Sequence, residues 1–289
     1  MDHRSLGKND ATLPAIGLGT WQYNGGIKPL QTGIALGACF MDTAESYGTE
    51  EVVGRALQGI RKSIFLATKV SPRHFRRADV IAAADASLKR LNTDYVDLYQ
   101  LHWPNYTVPI EETMGAMEEL VDSGKVRFIG VSNFFVRDLE RARKAMGKRK
   151  IVSNQVRYNL TDRTVEYDLL EYCRQHDITV IAHSPLATGL ESIEAKDPER
   201  VINKIAKNRG KTAAQIALNW CISKNGIVTI PKANSVEHVR ENCAASDFRL
   251  SPEELRLLNE KVEYDRRGSS EIFLRRIVRQ GLQYLGKNQ

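Results

Sequence analysis

Eight short runs rich in Val and Ile recur along the chain, and longer stretches with helical periodicity separate them. The runs are Ile16–Gly19, Phe40–Asp42, Ile64–Lys69, Val96–Leu101, Val126–Ser132, Ile151–Val156, Thr179–Ser184 and Gly226–Pro231. Most are apolar throughout, as strands buried on both faces read. Between them, helices are predicted at Pro29–Gly37, Glu50–Leu57, Arg77–Leu91, Ile110–Ser123, Val136–Ala145, Arg163–His176 and in a split segment from Pro198 to Trp220. A last one, Val236–Ala244, follows the eighth run. In Arg77–Leu91, Val80, Ile81, Ala84, Leu88 and Leu91 form one stripe. Thr212 with Gln215 and Ser251 with Glu254 fit capping boxes, the latter with Pro252 at the first helical position.

Eight strand–helix repeats in 289 residues argue for an α/β fold, a closed (β/α)8 barrel of the TIM type. A doubly wound sheet is the rival, and it would want GxGxxG opening the first helix. Here Gly17-Leu18-Gly19-Thr20-Trp21 supplies only GxG. Gly7 and Lys8-Asn9-Asp10 read as the turn of a short N-terminal hairpin plugging the barrel bottom. No Pro, Gly or Ser linker interrupts the chain, so residues 1–289 are expected to form a single barrel domain with extra C-terminal helices. Residues 265–289 form a basic tail, and from Ser269 on its apolar residues Leu274, Ile277, Val278, Leu282 and Leu285 share a helical stripe that would pack on the barrel.

Charge and composition exclude several classes. The net charge is +7, and the tail alone contributes six basic and two acidic residues. Elsewhere the signs mix along helices as on a solvated face, so no nucleic-acid partner is expected. No run of about 18 apolar residues is present, and no membrane association is expected. The first ten residues lack an apolar segment of signal-peptide type. Cys39, Cys173, Cys221 and Cys243 show no CxxC spacing. The expectation is a cytoplasmic protein with reduced thiols.

In such barrels chemistry sits at the C-terminal strand ends. Asp42 and Tyr47 follow the second run, Lys69 ends the third, and His102 and Trp103 follow the fourth. Ser132 and Asn133 end the fifth, Asn154 and Gln155 lie in the sixth, His183 and Ser184 end the seventh, and Lys232 follows the eighth. Singly, each has a bland reading: Asp42 as a cap, Lys69 snorkelling, His102 a satisfied core histidine. Together, an Asp, a Tyr, a Lys and a His can converge on one cavity mouth. A Lys ammonium lowers the pKa of a neighbouring phenol. Asp42 can hold Lys69, and His102 can direct a carbonyl oxygen, which makes a proton donor aimed at an oxygen gaining charge. There is no GxSxG and no HExxH, so neither an acyl-transfer nucleophile nor a metal site is indicated. Such a donor suits reduction of a carbonyl with hydride from a soluble cofactor.

From Gly17 to Lys232 the chain resembles the aldo-keto reductase family. The motifs are Gly17-Leu18-Gly19-Thr20-Trp21, Phe40-Met41-Asp42-Thr43-Ala44-Glu45-Ser46-Tyr47-Gly48, Ala67-Thr68-Lys69, Leu101-His102-Trp103-Pro104, Ile129-Gly130-Val131-Ser132-Asn133-Phe134, Asn154-Gln155-Val156, Ser184-Pro185-Leu186 and Ile230-Pro231-Lys232. The resemblance implies the same barrel, with the catalytic tetrad on Asp42, Tyr47, Lys69 and His102. It implies NADPH as cofactor. Ser132, Asn133 and Gln155 would bind the nicotinamide carboxamide, and His183 would stack on the ring. Ser184 and Leu186 would line the pyrophosphate, and Lys232 would meet the 2′-phosphate. Thr20, Asp42, Ala233, His238 and Asn242 complete the expected cofactor contacts, and Trp21 and Trp103 would wall the substrate pocket with Tyr47 and His102. Relatives that reduce carbon–carbon double bonds carry Glu in place of His102, so a small-molecule aldehyde or ketone is the implied substrate. A monomer is the family habit.

Three departures qualify the resemblance. His183 replaces the usual aromatic stacking residue, which predicts weaker, pH-dependent cofactor packing. Ala233 and His238 stand where Ser and Arg usually grip the phosphate, so NADH or dual use is the alternative to NADPH. Arg157 lies two residues after Gln155, near the cofactor or on the rim. The short loop after the fourth run suggests an open pocket for small carbonyls. Two other readings keep the barrel: a non-catalytic nucleotide-binding regulator, and a dehydrogenase working mainly in the alcohol-oxidising direction.

Overall fold

The computed structural model describes residues 1–266. The predicted tail helix lies outside the described residues. Two antiparallel strands, β1 (His3–Ser5) and β2 (Thr12–Pro14), open the chain. Eight parallel strands follow in sequential order: β3 (Leu18–Gly19), β4 (Phe40–Asp42), β5 (Phe65–Val70), β6 (Val96–Leu101), β7 (Val126–Ser132), β8 (Ile151–Arg157), β9 (Thr179–His183) and β10 (Ile227–Thr229). Ile16 bridges Thr229 in parallel, and the Gly17 amide donates to the Thr229 carbonyl at 2.8 Å, so the last strand meets the first. This is the (β/α)8 barrel that the repeats predict.

The helices are α1 (Ile27–Ala35), α2 (Glu50–Ala56), α3 (Arg77–Leu91), α4 (Ile110–Asp122), α5 (Val136–Lys144), α6 (Leu169–Gln175), α7 (Leu190–Glu194), α8 (Val201–Arg209), α9 (Ala213–Ile222), α10 (Val236–Cys243) and α11 (Pro252–Lys261). Both capping boxes form: Thr212 Oγ1 accepts from the Gln215 amide, and Ser251 Oγ from the Glu254 amide. The split segment resolves into α8 and α9 because Gly210, at φ +60°, ends one before Thr212 caps the next. On α3, Val80, Ala84, Leu88 and Leu91 are buried as predicted, whereas Ile81 is half-buried. The predicted helix Arg163–His176 is instead a single 3-10 turn, Thr164–Glu166, followed by α6. Its expected first residue, Arg163, is turned into the core, where its guanidinium donates to the carbonyls of Leu160 and Leu258. No helix among the described residues is long and apolar enough to cross a membrane.

The strand period sets the site. Residues two apart on a strand share a face. Phe40, Ala67, Leu98 and Ile181 pack inside the barrel with Val152 and Val228. Leu6 and Leu13, flanking the hairpin turn, join this cluster fully buried, so the hairpin does plug the bottom. The Gly7 amide donates to Thr179 Oγ1 at 2.6 Å, at the first residue of β9. Two residues further up the same strands stand Asp42, Lys69, Gln100 and His183. The apolar lower layer thus carries a polar layer above it.

Candidate active site

Lys69 is wholly buried, and its Nζ lies 2.6 Å from Asp42 Oδ1 and 2.9 Å from the Thr43 carbonyl. The third direction of the ammonium faces Tyr47, whose Oη is 3.5 Å away. From the other side His102 Nε2 lies 3.3 Å from Tyr47 Oη, and the two rings meet edge to face with centroids 5.4 Å apart. The four residues expected to converge therefore do so, at the upper ends of β4, β5 and β6. Tyr47 closes a 3-10 turn, Glu45–Tyr47, that Gly48 ends in the left-handed region at φ +68°.

The electrostatics depart from the sequence expectation. Burial raises the Tyr47 phenol above its ordinary range, Lys69 pulls it down, and Asp42 pushes it up again. The net direction is up, so the expected lowering by Lys69 is outweighed by desolvation. Burial alone would weaken the Lys69 ammonium, but the Asp42 carboxylate and Tyr47 more than restore it. At neutral pH the site therefore holds a protonated phenol beside an ammonium.

Further residues build this corner, among them Gln100, Thr49 and Glu50, which sequence reasoning missed. Gln100, fully buried on β6, donates from Nε2 to Asp42 Oδ2 at 3.3 Å. Its signal is an amide in the upper half of a fully buried strand, two residues before His102. Thr20, Thr43 and Thr49 join through hydroxyls 2.9–3.0 Å apart, and Thr20 Oγ1 also donates to the Asp42 carbonyl. The Thr20 hydroxyl is thus committed beneath the Tyr47 turn. Glu50 accepts from Thr68 Oγ1 and from Arg90, each at 2.6 Å, which anchors α2 directly after that turn. Glu45 accepts from the Ser71 amide and approaches His74 Nδ1 at 3.0 Å.

A second set of residues lies on the neighbouring strand ends. Ser132 Oγ donates to the Gln155 carbonyl at 2.9 Å, and Asn133 Nδ2 donates to Ser132 Oγ and to the His102 carbonyl, each at 3.0 Å. Gln155 Nε2 donates to Asp42 Oδ2 at 2.7 Å, which ties β8 to the tetrad. His183 bridges Asn133 Oδ1 at 3.2 Å and Ser184 Oγ at 3.1 Å. An amide oxygen only accepts, so His183 Nε2 carries the proton. Burial, then the charges of Lys69 and Arg157, lower His183 to about 3. It is neutral at physiological pH, which removes the charge, and with it the pH dependence near neutrality, expected from the sequence. Asn133 (φ +63°) and Ser184 (φ +50°) both hold left-handed backbone, a strained geometry that clusters at ligand sites. Arg157 is exposed and lies 3.3 Å from Asp162, close enough for its charge to act on His183. Further round, Lys232 and His238 are exposed, Ala233 and Asn242 are buried, and Leu186 is half-buried. Trp21 is 57% exposed and Trp103 half-buried, both beside the Tyr47–His102 pair in the strand order. An arc of amide, hydroxyl, imidazole and ammonium groups along β7 to β10 could hold an extended dinucleotide, with its redox end against Tyr47.

A profile of the Aldo/keto reductase family matches residues 15–263. The chain belongs to the aldo/keto reductase family. This reductase is 42% identical over 260 residues to methylglyoxal reductase YeaE of Escherichia coli (strain K12), covering 86% of its own length and 91% of that protein. Its structure superposes on the thermostable aldo-keto reductase Tm1743, crystallised with the inhibitor epalrestat, with a TM-score of 0.84 at 43% identity, covering 90% and 99% of the two chains. An aldo/keto reductase from Klebsiella pneumoniae in complex with NADP and acetate gives 0.84 at 40% identity, covering 92% and 97%. The membership makes the protein an oxidoreductase and accounts for the barrel.

Proposed function

We propose that this aldo/keto reductase uses NADPH to reduce small aldehydes and ketones, α-oxoaldehydes such as methylglyoxal first among them. The observation that carries the reading is the Tyr47 hydroxyl, placed between Lys69 Nζ at 3.5 Å and His102 Nε2 at 3.3 Å. The relative named a methylglyoxal reductase and the neighbour complexed with NADP support substrate class and cofactor.

In this reading Ser132, Asn133 and Gln155 hold the nicotinamide carboxamide, and neutral His183 offers its flat face to the ring. Ser184 and Leu186 line the pyrophosphate. Lys232 meets the 2′-phosphate, with Ala233, His238 and Asn242 around it. The bound cofactor supplies a hydride. His102 directs the substrate oxygen toward Tyr47, and Trp21 and Trp103 exclude water from the carbonyl. As charge develops on that oxygen, Tyr47 donates its proton to it, and Lys69 stabilises the phenolate left behind. Asp42 fixes Lys69 in place. A phenol held protonated at neutral pH suits the reducing direction, because the donor is already loaded.

The test is oxidation of NADPH and, separately, NADH by purified protein with methylglyoxal, glyceraldehyde and 4-nitrobenzaldehyde. Turnover of methylglyoxal with NADPH supports the proposal. NADPH binding without turnover of any carbonyl would overturn it in favour of a nucleotide-binding regulator.

A further inference from the structure

The Asp42 carboxylate carries three donors in a space closed to water. Oδ1 receives Lys69 at 2.6 Å, while Oδ2 receives Gln155 at 2.7 Å and Gln100 at 3.3 Å. The two amides differ in position. Gln155 sits on the side assigned above to the cofactor. Gln100 sits outside that arc, on β6, where it pairs in register with Lys69 of β5 and with Gly130 of β7.

Two observations indicate that Gln100 is held there for Asp42. Its Oε1 is buried and has no hydrogen-bond partner, a costly arrangement to keep for a side chain that an apolar residue could replace. Its seat also depends on a glycine. A Cβ on Gly130 would lie 3.0 Å from Gln100 Cγ and 2.5 Å from Ser153 Oγ.

We propose that Gln100 is a positioning residue for proton donation, holding Asp42 Oδ2 so that Oδ1 faces Lys69 regardless of what Gln155 binds. A donor on Oδ2 draws negative charge away from Oδ1. Lys69 is then less neutralised by Asp42, and more of its field reaches the Tyr47 hydroxyl. Gln100 touches neither the substrate nor Tyr47, and it acts only through Asp42 and Lys69. The inference rests on the carbonyl-reduction reading above.

The experiment compares wild type with Gln100→Leu, Gln100→Met and Gln100→Glu. The kcat for methylglyoxal is followed against pH. Separately, without cofactor or aldehyde, phenol ionisation is followed by ultraviolet difference against Tyr47→Phe. In Leu and Met, kcat is expected to fall about three- to tenfold, less than the full worth of a hydrogen bond to a charged group because Gln100 acts only through Asp42 and Lys69. NADPH affinity should stay within about twofold, since Gln155 is intact. The alkaline limb and the phenol titration should both move to higher pH. Ionised Glu, adding negative charge, should move them further the same way. A fall in kcat with the titration unmoved would reduce Gln100 to packing and overturn the proposal, as would loss of NADPH affinity in step with kcat. Failure of wild type to reduce any aldehyde would remove the function reading, while the titration would still decide whether Gln100 reaches Tyr47. If Leu unfolds the barrel, Met and Glu carry the same comparison.

Discussion

At the scale of single residues, two groups carry distinct pH and rate consequences. Under the proposed function Tyr47 is, among the described residues, the only phenol between Lys69 and His102, so Tyr47→Phe removes the donated proton. A loss of about 10²–10⁴-fold in kcat is expected, the usual weight of a positioned acid, with the NADPH dissociation constant unchanged. Equal kcat in the two proteins would sink the assignment. His183 is the second group. Its folded value is about 3, against about 6.5 in an unfolded chain. Between those values the unfolded chain binds more protons, so the contribution of His183 to stability is fully present above about pH 6.5 and drains away as pH falls toward 3. Melting curves at pH 7 and pH 5 should therefore diverge more for wild type than for His183→Tyr, which has nothing to protonate. Identical divergence would mean that the imidazole is solvated enough to titrate normally.

At the scale of elements, the barrel seam explains a motif that the sequence leaves ambiguous. Gly17-Leu18-Gly19 offers half of a phosphate-binding fingerprint, yet its glycines serve close approach of backbones. A Cβ on Gly19 would lie 2.5 Å from the Ile230 carbonyl oxygen, at the seam where the chain beside β10 meets β3. Gly19→Ala should cost at least about 2 kcal/mol by overpacking against backbone that cannot swing aside. Gly115, mid-helix in α4, meets nothing within 4 Å, and Gly115→Ala should stabilise by roughly 0.5–1 kcal/mol. Urea midpoints of the two variants should move in opposite directions, and a shift of both the same way would refute the seam argument. The same contrast shows what was legible. Short, continuous apolar runs rich in Val and Ile located every barrel strand, and caps such as Thr212 and Ser251 located helix starts, because those signals are local. The strand-end rule found Asp42, Lys69 and His102. Gln100 and the hydroxyl bonding of Thr20, expected only as a cofactor contact, to Thr43 and Thr49 were not legible, because their partners come from different strands or from across a turn. The Tyr47 shift was misjudged because a sequence names a neighbouring charge but gives no measure of burial.

At the scale of the whole molecule, a buried cation, Arg163, fastens the end of the described chain to the barrel beside the Lys196–Asp265 ion pair. Arg163 is 2% exposed and faces no carboxylate at ion-pair distance among the described residues. Its guanidinium lies between the rings of Trp220, at 4.7 Å, and Tyr264, at 4.2 Å. It donates to the carbonyls of Leu160 and Leu258, and at 3.2 Å to Asn259 Oδ1, the same oxygen that accepts from Trp220 Nε1. Its amide donates to the Asp265 carbonyl at 3.0 Å, and the Asp265 amide returns a bond to Thr161 at 2.9 Å. The loop after β8, helix α9 and the segment after α11 thus meet on one side chain. Burial alone pulls the Arg163 guanidinium below its ordinary range, so the site bears a desolvation cost that cation–π contacts and carbonyl acceptors offset. Arg163→Met keeps the stem and removes every donor, which leaves buried carbonyls unpaired. A loss on the order of 3 kcal/mol is expected. For a chain of this size that lowers Tm by roughly 5 °C. Arg163→Lys keeps the charge but not the planar fork and should recover only part of it. Limited proteolysis should cut near Val262–Asp265 sooner in the Met variant than in wild type. An unchanged Tm, with cleavage no faster, would mean that the segment after α11 is held by its backbone pairing to Thr161 and Arg163 and by Lys196, which pairs with Asp265 at 2.8 Å and whose carbonyl accepts from the Glu263 amide at 2.8 Å.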